Sequence, residues 1–187
     1  DYEAVLARLF EILSAPAAAG LAASAMDYID KDTDGMKERD ALNDAIFDVS
    51  QLLSAQGFEA KFLYNSMREG RPPAVRVLSP WHTNPININS ASPEVLKAFS
   101  PRLTDADLRA IIAARAEAPF KSMEDVLTRS KISGEGLAEL GKYAGFSTDT
   151  ITLRAEAKLG GSVRRVEAVV WLESTAGHTL YMREGWQ

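Results

Sequence analysis

At 187 residues the chain is long enough for one large domain or two small ones with cores of their own. Its apolar (46%) and charged (25%) fractions are those of a globular protein and exclude disordered and fibrous classes. A net charge of -5 speaks against a general nucleic-acid binder, and the absence of cysteine removes disulfides and thiolate chemistry.

The acidity is concentrated. Residues 1–85 hold eight Lys/Arg against thirteen Asp/Glu, whereas residues 86–146 hold eight of each and the remainder five of each. No apolar run reaches the roughly 18 residues a membrane span needs. The chain begins on Asp1 rather than Met and shows no signal peptide, so a targeting signal is expected upstream of residue 1.

Tyr2, Val5, Leu6, Leu9, Phe10 and Leu13 recur at helical spacing. Pro16 suits the first turn of a second, Ala-rich helix ending near Tyr28 or Ile29. An acidic loop follows, Asp30-Lys31-Asp32-Thr33-Asp34-Gly35. Leu42, Ala45, Ile46, Val49, Leu52 and Leu53 predict one or two helices, closed by Gly57. Residues 62–85 are rich in Pro and Gly and read as connector, with one short strand around Val75 to Leu78.

From Asn87 the signals sharpen. Ser92-Pro93-Glu94 presents an N-cap, an N1 proline and a first-turn acid in the order a helix start prefers. Thr104 with Asp107 starts the next helix, Ser122 a third over Met123 to Thr128, and Ser133 a fourth ending at Gly145. Beyond Gly145 the period changes to two. Ile151, Leu153, Ala155 and Ala157 mark one strand; after the Gly160-Gly161 turn, Val166, Ala168, Val170 and Leu172 mark a second; His178 to Arg183 forms a third. Three antiparallel strands make a marginal sheet, so the apolar face needs a helix or another protein over it.

Enzymatic constellations are missing from the sequence. His82 and His178 stand far apart and outside any metal-ligand pair, and no Ser sits in a G-x-S-x-G elbow. The acidic loop is the one site-like cluster. Asp30, Asp32, Asp34 and Gly35 fit the first half of a D-x-D-x-D-G calcium loop, but the twelfth position is Ala41, with Glu38 and Asp40 nearby. Two readings stand: a solvated acidic loop capping two helices, or a calcium site closed by a different residue. Mutual repulsion among Asp27, Asp30, Asp32 and Asp34 favours the cation.

The stretch from Asn87 to Leu96, with Ile111, Ile112, Arg115, Phe120 and residues 123–127, resembles the helix-hairpin-helix or SAM-like pattern. Its turn, Ser100-Pro101-Arg102-Leu103-Thr104-Asp105, lacks the glycine that would present amides to phosphate and places an acid there instead.

In order along the chain, Asp27-Tyr28-Ile29-Asp30-Lys31-Asp32, then Gly35 and Glu38, then Ser50-Gln51-Leu52-Leu53, and above all Pro85 to Leu127, resemble the GspK family of type II secretion minor pseudopilins. The resemblance implies an α+β fold, in which a pilin-like antiparallel sheet carries a large inserted all-α, SAM-like or helix-hairpin-helix-like domain. Residues 1–146 would be α-helical, with 85–146 as the SAM-like subunit, and 147–187 the C-terminal strands. It implies a non-enzymatic subunit at the pseudopilus tip, periplasmic and held in the bacterial inner membrane through an N-terminal helix absent from this chain. Processing by prepilin peptidase, with methylation, goes with that family.

The implied partners are the I- and J-type minor pseudopilins and the major pseudopilin, extending to the secreted substrate or outer-membrane secretin, with no nucleic acid. Calcium is the implied ion, with Asp30, Asp32, Asp34 and Glu38 as its ligands. The alternative reading is a helix-hairpin-helix nucleic-acid-binding module of an exported DNA-uptake protein.

Overall fold

The computed structural model describes residues 2–31, 41–81, 85–173 and 175–186. The chain mixes helices with an antiparallel sheet and divides into two compact units, Asp1–Pro80 with Asn84–Phe146, and Trp81–Thr83 with Ser147–Gln187. Among the described residues no helix is long and apolar enough to cross a membrane.

The first unit opens with α1 (Tyr2–Ile12), which buries Val5, Leu9 and Phe10, and α2 (Ala18–Ile29), which buries Leu21, Ala22, Ala25 and Tyr28. Pro16 lies before α2 rather than in its first turn, because Ala17 takes a left-handed conformation (φ 52°) and turns the chain there. Phe10 is fully buried and meets Phe58 and Phe62 edge to face, with ring centroids 5.8 and 5.2 Å away. Arg8 Nε donates to the carbonyl of Ala98 at 2.8 Å.

Two expectations for the middle of the chain fail. The helical spacing from Leu42 yields only a 3₁₀ helix, Val49–Ser54. Side chains take the amides that an α-helix would have used: Asp44 accepts from Ala45 N (2.7 Å), Asp48 from Ser50 N (2.8 Å), and Gln51 Oε1 from Phe47 N (2.6 Å) and Asp48 N (3.0 Å). The strand expected at Val75 to Leu78 is a 3₁₀ turn, Ala74–Arg76, because Pro72 and Pro73 lack ladder donors and Pro73 O accepts from Arg76 N. A short α3 (Ala60–Tyr64) places Phe62 and Leu63 in the core.

The rest of the unit is a second core. It is built by α4 (Pro93–Phe99), α5 (Asp105–Glu117), α6 (Met123–Ser130) and α7 (Glu135–Gly141). Ile88, Leu96, Ile111, Phe120, Val126 and Leu140 are buried at its centre. Ser92, Thr104 and Ser122 cap α4, α5 and α6 as their spacing predicts. Ser133 does not cap α7. Gly134, at φ 97°, precedes the helix, which ends at Gly141 instead of Gly145. Ala144–Gly145 (β2) then pairs in parallel with Ile86–Asn87 (β1), joining the two ends of the four-helix segment.

In the second unit, β3 (Thr150–Leu159), β4 (Ser162–Glu173) and β5 (Ala176–Trp186) form an antiparallel meander in that order. A bulge between Val169 and Val170 opposes Leu180. Period-two alternation puts Ile151, Leu153, Ala155, Val166, Ala168, Val170 and Met182 on one face. Leu153 (52% exposed) and Met182 (60%) are largely bare. The buried residue, Val169, lies on the opposite face, with Tyr181 across from it and Trp81 stacked 5.9 Å from Tyr181.

Candidate interaction surfaces

Of the four residues read as metal ligands, only Asp30 is described, at the C-cap of α2; Asp32, Asp34 and Glu38 lie outside the described residues. The described residues contain no cluster of three or more His, Asp or Glu able to hold a metal. On the far side of the undescribed stretch, Leu42 N and Asn43 N both donate to Tyr28 O, which anchors the returning chain beside Asp30. Asn43 adopts φ 50°, and its Oδ1 is a buried acceptor without a donor among the described residues. Such an oxygen suits a hard cation.

The four-helix segment is organised by one asparagine. Asn89 Nδ2 donates to Phe120 O (2.9 Å) and Phe146 O (3.0 Å), while its Oδ1 accepts from Phe120 N (2.7 Å). A single side chain thus ties the loop before α4 to the loop before α6 and to the segment's last residues. Arg115 Nη1 donates to Ile88 O and Ala91 O, each at 2.7 Å, and burial pulls this guanidinium below its ordinary pKa. Arg129 satisfies the carbonyls at the end of α5, donating to Ala118 O (2.7 Å) and Ala114 O, and lies 4.8 Å above the Phe120 ring.

The turn between α4 and α5 is the one that the sequence resemblance equates with the phosphate-facing turn of a helix-hairpin-helix. Here its polar groups are engaged internally. Leu103 N donates to Ser100 O, Thr104 N to Asp107 Oδ2, and Lys97 Nζ to Pro101 O and Leu103 O. The backbone and hydroxyl of Thr104 hold the Asp107 carboxyl below the usual range, so an anion approaching the turn meets a carboxylate. Helix α7 closes the back: a Cβ on Gly136 would lie 3.0 Å from Leu103 N.

The sheet's second face is charged. Arg154, Glu167 and Arg183 stand on one rung across the three strands, with Glu167 accepting from both arginines at 2.5 and 2.9 Å. Glu156 on the next rung is shared by Lys158 (2.9 Å) and Arg165 (2.7 Å), which together hold its carboxyl below the usual range.

Three comparisons with known proteins bear on these surfaces. The family described as "Type II secretion system (T2SS), protein K" matches residues 86–147, the four-helix segment from β1 to just past β2. The segment is similar to that family. Over 98% of its length the chain also superposes, with a TM-score of 0.70 and 18% identity, on 69% of a chain from the crystal structure of the GspK-GspI-GspJ complex of enterotoxigenic Escherichia coli. Among curated proteins nothing matches.

The matched segment coincides with the part of the molecule closed by Asn89 and by the β1–β2 pair. Its motif residues were visible in the sequence, but their roles were not. Asn89 contacts partners 31 and 57 positions away, and Arg129 was not singled out at all. Buried Glu94, read as a first-turn acid, also pairs with Arg71 at 3.4 Å. Only the i, i+4 pairing of Asp125 with Arg129 offered a local hint to any of these contacts.

Proposed function

We propose that the chain is the periplasmic body of a non-enzymatic minor pseudopilin, acting at the tip of the type II secretion pseudopilus. It supports pseudopilus assembly and protein secretion through contacts with I- and J-type minor pseudopilins and the major pseudopilin, and through them with secreted substrate or the outer-membrane secretin. The carrying observation is the protein K match over residues 86–147, joined to a fold that resembles a chain of the GspK-GspI-GspJ complex almost end to end. In this reading the helical unit is an all-α insertion into a pilin-like α/β fold. The bare face around Leu153 and Met182 then lies against the membrane-anchoring helix of the full protein. The internally bonded α4–α5 turn, backed by Asp107, disfavours the nucleic-acid alternative.

The chain mixed with I- and J-type soluble domains from the same genome is expected to elute as one complex in size-exclusion chromatography with light scattering. Separate elution of all three at tens of micromolar would sink the reading.

Calcium belongs to the same proposal, with Asp30, Asp32, Asp34 and Glu38 as carboxylate ligands and the Asn43 carbonyl oxygen as a further donor. At a dissociation constant near 0.1 mM, about 1 mM calcium stabilises by roughly 1.4 kcal/mol, or a melting shift of about 3–6 °C. The shift is expected to vanish with chelator and in Asp30→Ala. A shift that persists in Asp30→Ala would put the ion elsewhere.

A further inference from the structure

We propose that two copies of this chain associate edge to edge through β3. The two strands run antiparallel about a two-fold axis at Ala155 and join the three-stranded sheets of both copies into one. The inference goes beyond the pseudopilin reading and does not depend on it.

In the order β3-β4-β5, the outer strands are β3 and β5. An outer strand presents a row of amides and carbonyls to any further strand, and proteins usually blunt it with a bulge, a proline or short length. The bulge between Val169 and Val170 blunts β5. Nothing of the kind interrupts β3. It runs ten residues, Thr150–Leu159, without proline and in unbroken register with β4. Among the described residues, the backbone from Ile151 to Leu159 hydrogen-bonds only to β4.

The order of side chains selects a second copy as the occupant, because a two-fold interface must be complementary to itself. On its charged face β3 presents Thr152, Arg154, Glu156 and Lys158. Pairing about Ala155 sets Arg154 against Glu156 of the second copy, and symmetry repeats that pair; Thr152 meets Lys158. On the apolar face Ala155 meets itself, Leu153 meets Ala157, and Ile151 meets Leu159, which is 87% exposed in the single chain. Other centres fit worse. Centring on Arg154 sets that arginine against itself, and centring on Glu156 opposes the two glutamates and sets Arg154 against Lys158. A centre at Leu153 pairs no opposite charges, and one at Ala157 runs out at the Gly160-Gly161 turn. The other outer strand has His178, Tyr181 and Arg183 on the charged face, with no acid to meet its own cation.

The test uses the chain's lack of cysteine, which leaves an introduced thiol as the sole reporter. Directly opposed residues of an antiparallel pair have Cα atoms about 4.5–5.5 Å apart, within disulfide reach. Ala155→Cys is therefore expected to form a covalent dimer on mild oxidation. In Ala157→Cys the two thiols stand four residues apart along the strands, roughly 14 Å, and at least about tenfold less dimer is expected. Ala157→Cys mixed with Leu153→Cys should cross-link as the mixed pair. Without oxidant, sedimentation velocity from about 10 μM to about 1 mM should show a reversible monomer–dimer equilibrium. Glu156→Lys opposes like charges at both symmetric pairs and should weaken it roughly tenfold, with the circular dichroism spectrum unchanged. The proposal is overturned by a chain that stays monomeric across that range, by Ala157→Cys cross-linking as readily as Ala155→Cys, or by a dimer that Glu156→Lys leaves unaltered. It is also overturned if an equimolar I- or J-type soluble domain suppresses the Ala155→Cys cross-link, which would make that domain the occupant of the edge.

Discussion

Phe10→Ala is expected to cost about 3–5 kcal/mol of the first unit's stability, the range for truncating a fully buried phenylalanine. Phe10 has no solvent exposure, and its ring is the common partner of Phe58 and Phe62 in two edge-to-face contacts. Those two rings come from the chain at and just before α3, so the cavity would open where two segments distant in sequence meet. Collapse is restricted there. Phe62 is buried and packed against Phe58, with ring centroids 6.3 Å apart. Urea unfolding followed by circular dichroism should show the loss as a lower midpoint with little change in slope. A loss below about 1 kcal/mol would mean that the neighbouring rings close the gap, and that this core is far more plastic than its packing implies.

Asn89→Ala is the second large effect, about 3 kcal/mol, and its cause is polar. The substitution deletes two donated bonds and one accepted bond, and it strands the amide of Phe120, a residue only 1% exposed. A buried donor left without a partner costs about 1–3 kcal/mol by itself. Asn89→Asp discriminates between polar geometry and bulk. It keeps an acceptor for Phe120 N but turns a carboxylate oxygen toward the carbonyls of Phe120 and Phe146. At neutral pH it should destabilise at least as much as alanine, and it should recover in part at a pH low enough to protonate the new carboxyl. Hydrogen exchange locates the damage, with faster exchange expected in the loops before α4 and α6 and across the β1–β2 pair. Equal stability of Asn89→Asp and the parent at pH 7 would remove Asn89 from its organising position.

These two residues sit in different cores of one unit, and they illustrate two ways of holding short helices together. Around Phe10 the helices are fastened by aromatic area. Around Asn89 the elements are too short to bury much area each, and side-chain hydrogen bonds from Asn89, Arg115 and Arg129 to loop and helix-end carbonyls set their angles.

Local chemistry was readable without coordinates. Ser92, Thr104 and Ser122 announce their helices because a cap bonds amides only two or three residues away, and the three strands announce themselves by alternation. The order of motifs from Asp27 to Leu127 pointed to the family that the protein K match supports. The residues at 42–48 misled because apolar spacing says nothing about which acceptor wins an amide, and Asp44, Asp48 and Gln51 won them from the helix. The metal loop stays an expectation, since three of its four residues fall outside the described structure. By itself, then, the sequence determined where short helices begin, where strands alternate and which family the central segment follows, because those depend on neighbours a few residues apart. Tertiary structure alone decided that Asn89 ties Phe120 to Phe146, that α7 backs the α4–α5 turn, and that Arg165 faces the bare Gly185. Each of those requires the register of segments that meet only once the chain has folded.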